Sequence, residues 1–345
     1  MAAATEKFKE AGSFISNNSE EIKGIASSIR GDSTDFKQAF SSVNSILEDV
    51  DSKASSTHEE EEHTVKLGAK AEKNPSRENV KEFELEHEKE IKEVKSEEDE
   101  LGEALKEIEG SEQLLEGDLK RLNELMEHTD DCIKELNTLI DFVNNNGLDA
   151  DKLKQLSDWI ELSASFIRLE AGTHEFIVEE VERLATLNQE ALVDMEEVES
   201  DLKGIEKEDK EGEELAQETG NKKLAQQEKK DEEMVESEEN EFKQEEKEEG
   251  KILEELETEL DELKAELEHT EEEMGNLESE MQALESASSS MRARMSGKIS
   301  SEVSGNFEEA EQELRKASEI INGLEGEYSN VKSTVNKEEN ELTSL

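Results

Sequence analysis

The sequence predicts an all-α protein, an elongated antiparallel coiled coil laid out as one long helical hairpin or as a helical bundle, and self-associating. Three observations carry this. Apolar residues recur at alternating three- and four-residue steps through most of the chain, the spacing of a helix seam that zips against another helix. Of 345 residues only 32% are hydrophobic and 3% aromatic, too few to fill a thick globular core. Acids outnumber bases 96 to 40, a net charge of -56, and charge that dense fits thin helical assemblies with solvated outer faces.

The elements follow in order. A seam from Phe8 to Ala54 opens the chain. Asn74-Pro75 reads as an N-cap followed by Pro at the first helical position. The next seam runs Leu101, Leu105, Ile108, Leu115, Leu119, Leu122 and on to Val143, with Glu112 and Thr129 as its polar members. Asn144 to Asp149 is the strongest turn signal: Gly147 suits a left-handed C′ position and Asp149 an N-cap. Ala171-Gly172-Thr173 is the second, with Thr173 as the cap. A seam from Ile177 to Ile205 follows, then a break at Gly220-Asn221 within an apolar-poor stretch, 206–250. Leu253, Leu256, Leu260, Leu263 and Leu267 begin another seam that reaches Leu284. Ser286 to Ser290 and Gly297 to Gly305 interrupt it before a last seam, Phe307 to Leu342.

Charge is spread unevenly. Residues 1–57 and 286–345 are near-neutral and rich in Ser, 58–143 and 176–285 are acidic, and 144–175 is the most apolar stretch. The pattern is palindromic, which suggests a chain folded back at its midpoint. The near-neutral ends would then form the base, the acidic stretches the arms, and 144–175 a tip with a short extra helix. The rival layout is a compact bundle that reverses near residues 74, 147 and 220 or 250.

A charge of -56 repels phosphate backbones and anionic lipid, which argues against nucleic-acid and membrane partners. No apolar run of about 18 residues is present to insert into a bilayer. The first residues lack an apolar stretch behind a basic start, so no signal peptide is expected. Lone Cys132 has no second cysteine to bridge and reads as a reduced thiol in a cytoplasmic protein. Concentrated salt would relieve the self-repulsion, as in proteins of salt-loving organisms.

Candidate sites are few. Trp159, Phe166 and Phe176 could form a partner-docking patch, or simply pack the tip. Three Glu-x-x-His pairs (Glu60/His63, Glu84/His87, Glu266/His269) and the run His58 to His63 have spacings that metal-binding bundles use. In a chain this rich in Glu such pairs also arise by chance, and no metal or cofactor is assigned to them. No nucleophile elbow, phosphate loop, dinucleotide glycine pattern or zinc-type Cys/His spacing occurs.

Ala171-Gly172 followed by Ile177-Val178-Glu179-Glu180-Val181-Glu182-Arg183-Leu184-Ala185 resembles the tip of bacterial and archaeal chemoreceptors. There an Ala-Gly turn region precedes Val-Ala-x-Glu-Val-Arg-x-Leu-Ala. The likeness is confined to 171–185, needs a gap, and lacks the Gly-Arg-Gly-Phe segment of that tip. It implies a long hairpin that dimerises into a four-helix rod and docks a kinase and an adaptor at its tip. From the seams, the charge and the lack of a catalytic constellation, the expected function is a non-enzymatic coiled-coil scaffold, spacer or filament element that associates with itself, with the tip as a place where another protein could dock. A chemoreceptor-like signalling rod is the alternative, and a metal-binding helical bundle the third.

Overall fold

The computed structural model describes residues 2–74, 76–146, 150–219 and 301–342, with a scattered subset of 229–286. Among these, only Asp32, Asn74 and Ser76 lie outside helix. Helix α1 spans Ala2–Gly31, α2 Ser33–Lys73, α3 Arg77–Asn146, α4 Ala150–Thr219 and α5 Ser301–Leu342. The fold is all-α, and the helices pack as a bundle.

The breaks have local causes. At Gly31-Asp32 the Asp32 N–H donates to the Ile29 carbonyl at 3.1 Å, a tight turn that separates α1 from α2. The sequence reading ran one seam through this point. At the next break Asn74 N–H closes the end of α2 on the Lys70 carbonyl, 3.1 Å away. The cap of α3 is Ser76 rather than Asn74: its Oγ accepts the Asn79 N–H at 3.2 Å, the N3 contact of a capping side chain. Asn74 instead offers its carbonyl to the Asn79 side-chain amide at 2.8 Å. Pro75, the turn residues Gly147 to Asp149, the break at Gly220-Asn221 and residues 287–300 lie outside the described residues. Residues 301–305, expected within an interruption, already belong to α5.

The turn at Ala171-Gly172-Thr173 is not formed: α4 passes through it without a break. Ala171 is buried, and Thr173 Oγ1 donates to the Leu169 carbonyl at 2.7 Å, one helical turn back. A lone Gly costs a helix only about 1 kcal/mol relative to Ala. Burial of Phe166, Ile167, Ile177 and Val178 on either side outweighs that. There is consequently no separate short helix over 150–170, and the chemoreceptor-like stretch is helix interior rather than a tip.

The helices assemble into two compact units. One comprises Met1–Thr34, Leu114–Glu182 and Glu257–Leu345; the other comprises Asp35–Gln113 and Arg183–Leu256. In the first, α1 lies antiparallel to the second half of α3. Phe8 meets Phe142 with ring centroids 5.4 Å apart, and Arg121 Nη1 donates to Ser28 Oγ at 2.7 Å. Phe8 also packs on Trp159 of α4 at 5.1 Å. That contact brings the near-neutral 1–57 stretch onto the apolar 144–175 stretch, which a single long hairpin would hold at opposite ends. Palindromic charge is not a pairing rule, because an apolar stripe packs equally well on any matching stripe. On α1 the stripe is Phe8, Ala11, Ile15, Ile22, Ala26 and Ile29, each at most 6% exposed.

In the second unit α2 lies antiparallel to the first half of α3. Lys53 Nζ donates to Ser96 Oγ at 2.9 Å and Lys70 Nζ to Glu82 at 2.6 Å. Ala71, Val80, Phe83 and Leu215 form a small core there, with Leu67 against it. The later part of the chain closes on this unit as well, through Lys243 at 3.5 Å from Glu199 on α4.

Candidate functional site

The most unusual chemistry sits on the seam of α3 in the second unit. Val80, Phe83, His87, Glu90, Val94, Glu97 and Leu101 follow one another at alternating steps, and all are buried. Three positions that a coiled coil normally fills with apolar groups thus carry His or Glu. On α2 the facing seam has Thr57 and Thr64, one heptad apart. The Thr57 hydroxyl donates to Glu97 Oε1, and the Thr64 hydroxyl hydrogen-bonds Glu90.

Helix α4 brings Glu208 and Asp209 to the same level. His87 Nδ1 lies 3.1 Å from Glu208 Oε2, and Nε2 lies 2.8 Å from Asp209 Oδ1. The imidazole stacks on Phe83, with centroids 5.7 Å apart and planes 8° from parallel. His87, Glu90, Glu208 and Asp209 are each at most 2% exposed. Burial, and then the charge of Glu208, push the Glu90 carboxyl up to about 8, although Thr64 and His87 pull it back. Burial likewise pushes Glu97 up to about 7 against the hydrogen bond from Thr57. Glu90 Oε2, Glu208 Oε1 and Asp209 Oδ2 have no hydrogen-bond partner among the described residues.

The first unit carries buried polar groups too. Asp118 is fully buried, paired with Arg121, and pushed up to about 7, chiefly by burial. His174 is fully buried, with Nδ1 3.3 Å from the Glu170 carbonyl, and loss of water lowers it to about 4, which keeps it neutral. Glu170 accepts the Thr270 hydroxyl at 3.2 Å.

The residues singled out from sequence are scattered. Trp159 packs over Gly12 and Phe8; Phe166 is fully buried; Phe176 lines a shallow groove of about 330 Å³ with Arg30, Ser33, Gly172, Glu175 and Glu179. Of the three Glu-x-x-His pairs, His63 and His269 have side chains more than half exposed, beside Glu86 and Asp130. His58 is exposed beside Glu61. The side chains of Glu59, Glu60, Glu62 and Glu266 lie outside the described residues. His87 alone of these is buried, and the carboxylates on its ring nitrogens come from α4. Glu90, Glu208 and Asp209 were missed from sequence. The usable signal was a seam from Val80 to Leu101 in which His and Glu replace apolar residues.

Among the described residues no helix is long and apolar enough to cross a membrane. Fold and site together define an acidic, all-α helical bundle with polar groups set into its seams. No family model matches the chain, and no curated protein matches it. Among solved structures it is similar to the de novo designed helical repeat protein DHR64, at 14% identity over 80% of this chain and 98% of that one, with a TM-score of 0.17. It is also similar to the DHF58 filament, at 13% identity over 58% and 99% with a TM-score of 0.16. A de novo designed 16-helix transmembrane nanopore is similar at 10% identity over 87% and 99%, with a TM-score of 0.26. What these have in common with the chain is helix.

Proposed function

We propose that the chain acts by shape, as a non-enzymatic structural element, a spacer or assembly piece that associates with other helices and first with its own copies. The observation that carries this reading is the division of labour along each helix. Seams that are apolar over most of α1 to α4 are turned inward, with a few polar and acidic groups set into them, while most of the 96 acids are left for the outer faces. Such a surface discourages indiscriminate contacts and leaves geometry as the product of the fold. A reduced, cytoplasmic setting fits lone Cys132, which is buried and whose thiol burial pushes up to about 12.

Self-association has a place to start. Val65 is 41% exposed and Leu85 64%. The pairs His63–Glu86 and Lys70–Glu82 set the α2–α3 register and bring those two residues to one level. Light scattering with small-angle X-ray scattering on the full chain tests the reading. A concentration-dependent oligomer that Val65→Glu with Leu85→Glu weakens is the expected result. A monomer at every concentration would remove self-association from the proposal.

A further inference from the structure

Among the described residues, the His87 cluster sets three carboxyl groups against one imidazole, and the oxygens without a partner belong to those carboxyl groups. His87, Glu90 and Glu208 each offer a ligand atom, and these atoms all lie within 4.8 Å of one another. On a Glu-rich surface such a grouping would mean little. Here every member is shut away from water, and Glu90 Oε2, Glu208 Oε1 and Asp209 Oδ2 are buried without a hydrogen-bond partner among the described residues. A neutral imidazole has one N–H, yet both nitrogens of His87 face carboxylate oxygens. One contact is met by that N–H. The other needs a second proton or a cation lodged beside it. With Asp209 accepting from Nε2, the tautomer that remains points the Nδ1 lone pair toward Glu208.

We propose that His87 Nδ1 and the carboxylates of Glu90 and Glu208 bind a divalent first-row transition-metal ion, with Asp209 positioning the imidazole. Bonds of about 2.0–2.2 Å keep ligand atoms within about 4.4 Å of each other, so the site closes on an ion through shifts of a few tenths of an ångström. One nitrogen among oxygens suits Zn2+, Mn2+ or Fe2+. Ca2+ prefers a larger all-oxygen shell and Mg2+ keeps several waters, for which a closed helix seam is poorly shaped. The ion offsets two of the three carboxylate charges and clamps α3 to α4 within this unit. The inference is independent of whether the chain self-associates.

The test uses the full chain, stripped with chelator and dialysed into concentrated KCl with excess Mg2+ to mask the acidic surface. Zn2+, Mn2+ and Co2+ are then titrated separately, with bound metal counted by elemental analysis. We expect one ion per chain, and X-ray absorption of the Zn2+-loaded wild type to show one imidazole nitrogen among oxygens. Glu90→Gln with Glu208→Gln should abolish stoichiometric binding, Asp209→Asn should weaken it about 10–100-fold, and His269→Gln should leave it unchanged. The absorption measurement needs no variant and so survives any failure of a variant to fold. Binding without fixed stoichiometry, binding unaltered in the Glu90/Glu208 double variant, or an all-oxygen shell would each overturn the site.

Discussion

The Thr57 hydroxyl on α2 donates to the Glu97 carboxylate on α3, and both side chains are buried where the two seams meet. An acid in that position is tolerated because the hydroxyl meets one oxygen; Glu97 Oε2 is without a partner among the described residues. Removing the donor alone, in Thr57→Val, should destabilise the chain by about 1–3 kcal/mol, the cost of a buried acceptor left unmet. Replacing both, in Thr57→Val with Glu97→Leu, should restore or exceed wild-type stability, as apolar substitution of buried polar pairs often does. Urea unfolding of the two variants decides the matter. A double variant less stable than Thr57→Val would show that the pair contributes more than it costs.

Buried acids also set an unusual pH dependence. Burial raises Glu97, Asp118 and Asp194 to about 7 and Asp201 to about 6, from ordinary values of 4.5 for Glu and 3.8 for Asp. Between those limits the folded chain holds more protons than the unfolded one. Stability is therefore greatest near the lower limit and is lost as pH rises through about 6 to 7. The melting temperature should climb as pH is lowered from 8 to 5.5, the reverse of a protein whose carboxylates are salt-bridged. Thermal melts monitored by far-UV circular dichroism across that range provide the check, and a melting temperature that falls on acidification contradicts the assignment.

The helices and their seams were readable because the 3–4 spacing survives in any sequence long enough to repeat it: Ile15, Ile22 and Ile29, or Leu101, Ile108, Leu115 and Leu122, announce a buried stripe. Direction and partner were not. Nothing in the composition of 1–31 says that Phe8 will meet Trp159, since one apolar stripe resembles another. Gly172 looked like a turn because glycine can make one, but no Pro follows it and the apolar pattern continues on both sides. The His87 cluster was hidden for a different reason. In a chain with 96 acids, Glu90, Glu208 and Asp209 cannot be told from their solvated neighbours until the register of α3 against α4 is known.

Two glycines of α1 should respond oppositely to the same change. A Cβ built on Gly12 runs into the Trp159 indole, whereas at Gly24 it meets nothing within 4 Å. Gly12→Ala must push the Trp159 ring off its contact with Phe8, an overpacking cost of about 1–3 kcal/mol. Gly24→Ala should stabilise by up to about 1 kcal/mol, because Ala is the better helix former and its methyl points into open space. The single Trp of the chain reports the first change directly through its emission, and denaturant titrations measure both. Equal effects at the two sites would mean that the Gly12–Trp159 contact does not constrain the packing.

Salt should strengthen this protein rather than weaken it. Some ion pairs along the helices are i,i+4 contacts near the surface, such as Lys120–Glu116 at 3.1 Å and Lys203–Glu199 at 2.8 Å. Pairs of that kind contribute about 0.3–0.5 kcal/mol each, and salt screens them. Against this stands the repulsion among 96 acids with only 40 bases to offset them. Raising ionic strength from about 0.1 M to about 1 M shortens the Debye length from about 10 Å to about 3 Å, which relaxes the long-range like-charge repulsion more than it costs the contact pairs. KCl, which lacks the strong exclusion effect of sulfate, isolates the screening contribution. Helicity and melting temperature should both rise along that series, with the largest gain at alkaline pH, where the buried acids are ionised as well. Superimposable melts at low and high KCl would mean that exposed-charge repulsion does not limit stability, and the case for a surface adapted to concentrated salt would end there.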